Sequence, residues 1–114
     1  MNKIRKCTES GIHIKTKNNL RTDAVIKFNW IEKNHEDGIW LEGNENFSIV
    51  AKNHHINNNR KAGVKASDAA QVKITNNRIF ENYGQGILLA DSASGYIEKN
   101  ELFQNYKANI AYGG

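Results

Sequence analysis

One cysteine, Cys7, stands among 114 residues. It leaves no internal disulfide framework and too few thiolates for most structural zinc sites. A lone thiol predicts a reduced, cytoplasmic setting. Proline is absent altogether. Apolar stretches run for only a few residues, so the sequence predicts neither a bilayer-spanning helix nor a signal-peptide core. Charge of one sign is scarce too: 16 Lys and Arg against 12 Asp and Glu leave +4, shared evenly between the two halves. No basic tail or acidic arm nominates nucleic acid or membrane as a partner. Hydrophobic residues make up only 39%, and asparagine fills much of the gap with 17 residues. At this length there is room for one domain.

What is present is a repeat. An aliphatic residue is followed by Asn three positions on, and by Gly and a second aliphatic seven and eight positions on. Ile31, Asn34, Gly38, Ile39 fit, as do Ile56, Asn59, Gly63, Val64 and Ile79, Asn82, Gly86, Ile87. Two degenerate copies flank them: Ile4, Cys7, Gly11, Ile12 and Leu102, Asn105, Asn109, Ile110. Leading aliphatics at 4, 31, 56, 79 and 102 give periods of 27, 25, 23 and 23 residues. A further Asn precedes each of them, as Asn2, Asn29, Asn53, Asn77 and Asn100. Asn53 is one position early, so the third copy is read as carrying an extra residue in His54-His55. The longer first copy is read as a loop over Lys17 to Asp23, and Asn44 and Asn46 are read as loop residues.

Within each copy the inward residues alternate, as in Gly-Ile-x-Leu, which is the period of a strand. No window carries a 3.6-residue apolar stripe, and Asn and Gly interrupt every candidate helix. Leucine-rich repeats lack a place for this Gly, and the six-residue rhythm of a left-handed β-helix is missing. Three short strands per turn of about 23 residues predict an all-β, right-handed parallel β-helix of about five coils. Gly38, Gly63 and Gly86 are expected to take positive φ or to permit close backbone approach, with Asn109 as the best substitute. Asn34, Asn59, Asn82 and Asn105 are expected to stack as an amide ladder.

Segments such as NRIFENYGQGILLADSASGYIEKN and NELFQNYKANIAYGG resemble the parallel β-helix repeats of carbohydrate-binding and sugar-hydrolase domains. The Ile-x-x-Asn-x-x-x-Gly-Ile-x-Leu core is most similar to repeats of certain F-box only proteins, where such a domain selects substrates for a ubiquitin ligase. It also resembles repeats of bacterial copper-maturation proteins and of polysaccharide lyases and epimerases. The resemblance covers residues 2 to 114. It implies the fold, and it implies either partner recognition or carbohydrate chemistry.

The chemistry itself is thin. Asp68 and Asp91 each follow their Gly by five residues and are expected to lie one above the other, a weak acid pair for calcium or substrate. Asp at an exposed bend is the preferred reading. His54 and His55 are adjacent, so on a strand they face opposite ways, and no convergent metal set is expected. All four histidines are read as solvated or bend residues. Neither cofactor nor metal nor catalytic residue is assigned. The outward columns are richer: His13, Trp40, Lys65, Leu88; then Phe80 with Phe103; then His35, Arg60, Tyr83 and Tyr106. Trp40, Arg60, Phe80, Tyr83, Phe103 and Tyr106 are the candidate binding residues, since amphipathic aromatics anchor partners without a deep pocket.

The sequence therefore predicts a non-catalytic binding or scaffold module over residues 1–114, a piece of a longer solenoid. Its expected partner is a protein, as in the recognition part of a ubiquitin ligase, or a polysaccharide. The alternative is a carbohydrate-active enzyme: lyase, epimerase or hydrolase. Nucleic acid fits poorly, because Lys and Arg are expected to scatter over all faces. End-to-end self-association is expected through open terminal coils.

Overall fold

The computed structural model describes residues 2–16, 21–44 and 47–113. Among these the chain winds as a right-handed parallel β-helix whose three sheets each run along the axis. The first sheet holds β1 (Asn2–Arg5), β4 (Asn29–Glu32), β7 (His55–Asn57), β10 (Arg78–Phe80) and β13 (Glu101–Phe103). The second holds β2 (Ile12–Lys15), β5 (Ile39–Gly43), β8 (Val64–Asp68), β11 (Ile87–Ala90) and β14 (Ile110–Gly113). The third holds β3 (Thr22–Lys27), β6 (Phe47–Lys52), β9 (Gln71–Thr75) and β12 (Ser94–Glu98).

Register follows the repeat. Ile4, Ile31, Ile56, Ile79 and Leu102 pair in sequence up the first sheet. Ile12, Ile39, Val64, Ile87 and Ile110 do so up the second. Ile31, Ile39, Ile56, Ile79 and Ile87 are fully buried in one continuous core. Each such side chain contributes about 1.5–3 kcal/mol of hydrophobic stabilisation. The loop expected over Lys17 to Asp23 is shorter, because Thr22 and Asp23 already belong to β3. Positions 17–20 of that loop, and Asn46, lie outside the described residues.

The bends work differently from the expectation. Among the described residues no glycine has positive φ. The left-handed residues are instead Lys33, Asn58, Glu81 and Gln104, with φ of 54–57°, each directly before a ladder Asn. Phe28, Asn53, Asn76 and Lys99 do the same between the third and first sheets, and Asp68 and Asp91 between the second and third. A single left-handed residue turns the strand, and the next side chain secures the corner. The glycines serve close approach alone. A Cβ on Gly38 would lie 2.6 Å from Gly63 O and 2.6 Å from Ile56 Cγ2, both in the next coil. Asn109 has no following coil to meet among the described residues, so a side chain fits there without left-handed backbone.

Two ladders pin the corners. Asn59 Oδ1 accepts from the Asn34 backbone N–H at 3.1 Å and from Asn34 Nδ2 at 2.9 Å. Its Nδ2 donates to Ile31 O at 3.3 Å and to Asn82 Oδ1 at 3.0 Å. Asn82 repeats the pattern with Asn105. All the hydrogen-bonding capacity of the buried amide is used. At the head, Cys7 supplies its backbone N–H to Asn34 Oδ1.

The second ladder corrects the reading of His54. Asn77 and Asn100 form it, and His54, not Asn53, is its next member. The imidazole Nδ1 accepts from the Asn29 N–H at 3.2 Å, where an amide oxygen would. Its Nε2 donates to Ile26 O at 3.0 Å, where an amide nitrogen would. The third copy has no extra residue: Asn53 is the left-handed bend residue, and His54 is 1% exposed rather than solvated.

Candidate functional site

The candidate site grows from the corner between the first and second sheets. There three residues separate the ladder Asn from the Gly of the same coil, and some of them face outward. His35, Arg60, Tyr83 and Tyr106 each follow a ladder Asn, and the backbone stacks them coil on coil. Arg60 N donates to Asn34 O, Tyr83 N to Asn59 O, and Tyr106 N to Asn82 O, at 2.8–3.1 Å. Tyr83 is 59% and Tyr106 84% exposed. Lys61 N and Lys107 N are tied in the same way to Glu36 O and Gly84 O. The main chain is therefore rigid while the side chains reach into solvent.

Two grooves adjoin at this corner. One, of about 600 Å³, is lined by Lys33, His35, Asn58, Arg60 and Tyr83. The other, of about 340 Å³, has Asp37, Lys61, Lys65, Leu88 and Lys107 in its walls, again with Arg60 and Tyr83. Those two side chains thus belong to both. Five of the 16 basic residues, Lys33, Arg60, Lys61, Lys65 and Lys107, line these two grooves, while others such as Lys27, Lys73 and Arg78 lie on the third and first sheets. Asp37 sits among the basic residues of the second groove.

Asp37 was missed in the sequence, where it is only the residue before Gly38. It is 3% exposed, and its Oδ1 accepts from the Ala62 N–H at 2.9 Å. Burial pushes its carboxyl above the ordinary carboxylate value, against the opposing pull of that N–H and of Lys65 and Lys61. Glu36 faces Lys61 Nζ at 3.6 Å, an exposed pair of little energetic weight.

The other candidates are engaged elsewhere. Trp40 stacks on His13 at 4.1 Å and lies under Lys65 Nζ at 4.9 Å, so both its faces are covered. Its indole N–H donates to Ser67 Oγ at 2.9 Å. Phe80 and Phe103 stack on one another at 4.9 Å, with the Arg78 guanidinium 5.6 and 5.5 Å from their centroids. His55 stacks on Trp30. Asp68 and Asp91 lie on adjacent coils, and Asp91 Oδ2 accepts from the Asp68 N–H at 3.0 Å. Both adopt left-handed backbone, which Asp tolerates. That geometry is a bend cap. Among the described residues, no three His, Cys, Asp or Glu side chains group as metal ligands.

The family model described as "right handed beta helix region" matches residues 1–114. The chain belongs to that family. Comparison with curated proteins and with solved structures returns no match. Membership in the right handed beta helix region family accounts for the coil, its ladders and its core. It leaves the outward side chains unassigned, because one such coil carries many activities.

Proposed function

We propose that the protein is a non-catalytic binding module that takes a protein or glycan partner on the side of its β-helix. The binding face is the corner between the first and second sheets. One observation carries this reading: Arg60 and Tyr83 wall two adjoining grooves at once, so one ligand passing them touches both. Tyr83 and Tyr106 are exposed amphipathic anchors with no ring stacking among the described residues, unlike Trp40, Phe80 and Phe103. Selecting substrates for a ubiquitin ligase, as in the F-box only proteins that the repeats resemble, is one use of such a face. Backbone amide shifts mapped by NMR against protein and glycan ligands test the assignment. Shifts centred on Arg60 and Tyr83, lost in Arg60→Ala and Tyr83→Ala, are expected. Shifts confined to the third sheet would refute it.

A carbohydrate-active enzyme is the second reading, and Asp37 is the observation in its favour. A buried carboxyl with a raised pKa beside Lys and Arg in a groove has the attributes of a general acid. Pectin and alginate, with and without calcium, are the substrates to try. Turnover lost in Asp37→Asn would establish this reading, and turnover lost in Asp68→Ala or Asp91→Ala would place the chemistry at the acid pair instead.

A further inference from the structure

From the charge pattern of this corner we infer that its ligand is a short acidic peptide segment in extended form, with spaced carboxylates around one apolar side chain. The inference rests on the reading of the corner as the binding face.

Five cations line the two grooves: Lys33, Arg60, Lys61, Lys65 and Lys107. Lys65 is steadied by lying over Trp40, and Lys61 is partly neutralised by Glu36. The acids of the same corner are Glu36, the buried Asp37, and Glu81 on its bend. Acids are therefore interspersed at this corner while cations stay in excess. A uniform polyanion, whether polyuronate or single-stranded nucleic acid, would set some of its charges against Glu36 and Glu81, and like charges in an interface are costly. A neutral glycan would leave the cations without partners. A peptide escapes both problems, because its acids are placed one by one and the residues between them are neutral.

The spacing suits a peptide as well. From Lys33 in the second coil to Lys107 in the fifth is three coil rises, about 14 Å at about 4.8 Å each. An extended chain at about 3.4 Å per residue covers that in four or five residues. Alternate side chains point the same way, so acid–x–apolar–x–acid puts the apolar group at Tyr83 and Leu88 and the acids near the outer cations.

Fluorescence anisotropy with the full chain tests this, using labelled Gly/Ser-flanked peptides of the pattern Glu-x-Leu-x-Glu. Saturable binding is expected, weakened at least tenfold by Arg60→Glu and by raising salt from about 50 to about 300 mM, which shortens the screening length. Lys27→Glu, the same charge change on the third sheet, should leave affinity unaltered. Replacing the central Leu by Ser, or Glu by Lys, should abolish binding. Polygalacturonate or a single-stranded oligonucleotide binding more tightly than the peptide, with sensitivity to Arg60→Glu, would overturn the peptide and keep the corner. Peptide binding indifferent to both Arg60→Glu and Tyr83→Ala would overturn the corner too. No saturation by the peptide at millimolar concentration would overturn the inference itself.

Discussion

Gly63→Ala separates two accounts of why the repeat demands glycine. Gly63 does not have positive φ, so alanine meets no backbone penalty there. Judged on conformation alone, Gly→Ala at such a position stabilises by about 0.4–1 kcal/mol, through the unfolded chain. Contacts point the other way. The new Cβ would stand 2.5 Å from Ile79 Cγ2, 2.8 Å from Gly86 O and 3.0 Å from Asn82 Nδ2. One of these is main chain and another is the ladder amide, so neither yields by a simple rotamer change. Relief requires the fourth coil to draw away from the third. That strains the bonds from Val64 N to Gly86 O at 2.9 Å and from Gly63 N to Gln85 O at 3.0 Å. Overpacking of this kind costs about 1–3 kcal/mol, and coupling to the ladder places Gly63→Ala toward the upper end. Urea denaturation should therefore show a clearly lowered midpoint with an unchanged slope. Gly113→Ala, whose Cβ meets nothing within 4 Å, is the matched control and should stay near zero. Gly63→Asn adds discrimination, because Asn tolerates left-handed backbone but is larger than Ala. It should be at least as harmful. A neutral or stabilising Gly63→Ala, or rescue by Asn, would refute the contact argument.

Asn59→Leu should cost about 1–3 kcal/mol, since it leaves the buried Asn34 N–H without its acceptor, while Gln71→Leu, at an exposed position of the third sheet, should lie within about 0.5 kcal/mol of zero. Paired denaturant midpoints decide it, and equal midpoints would remove the ladder from the account. Glu81→Gly should be neutral or stabilising by about 1 kcal/mol, because Glu81 holds φ of 55° at a cost that glycine does not bear; a marked loss would show that its side chain holds the corner. For His54, burial lowers the pKa below its ordinary 6.5. Below pH 6.5 the unfolded chain takes up a proton that the folded one refuses, so this contribution to stability falls as pH drops from 6.5 toward the folded pKa, by at most about 1.4 kcal/mol per pH unit. His54→Asn restores an amide to the ladder and should flatten stability between pH 7.5 and 5.5 relative to the native chain. Parallel pH profiles for the two proteins would exclude His54 as the source.

The fold was legible because inward positions have little choice. Ile31, Ile56 and Ile79 must fill one core column, and the Gly of each coil must admit the next, so both recur at a fixed offset whatever lies outside. His54 was harder. An imidazole with its proton on Nε2 offers an acceptor and a donor much as a carboxamide does, so it enters an asparagine ladder without resembling one in sequence. The signal was nonetheless present: His54 stands two residues before Ile56, as Asn29 stands two before Ile31 and Asn77 two before Ile79. Offset, rather than residue type, marks the ladder. The left-handed bends were missed for a related reason. Lys33, Asn58, Glu81 and Gln104 share no chemistry, and what they have in common is only their place before a ladder Asn, which supplies the hydrogen bonds that hold the turn.

The outward face was legible only as columns. Listing His13, Trp40 and Lys65 together already contained the fact that Trp40 is covered on both sides, because neighbours in a column are neighbours in space about 4.8 Å apart. In the column of Arg60, Tyr83 and Tyr106 neither tyrosine has a ring contact among the described residues, and both are well exposed. Stacking and binding compete for the same aromatic face: a ring that stabilises the next coil has that face filled, and a ring left open contributes little to the coil. On that ground the two kinds of column carry opposite expectations under mutation. Phe80 should matter to stability through its stack with Phe103, and Tyr83 to ligand affinity with stability hardly moved. At the corner between the first and second sheets Tyr83 and Tyr106 stay exposed near Lys33, Arg60 and Lys107, and that is why the proposed partner is placed there.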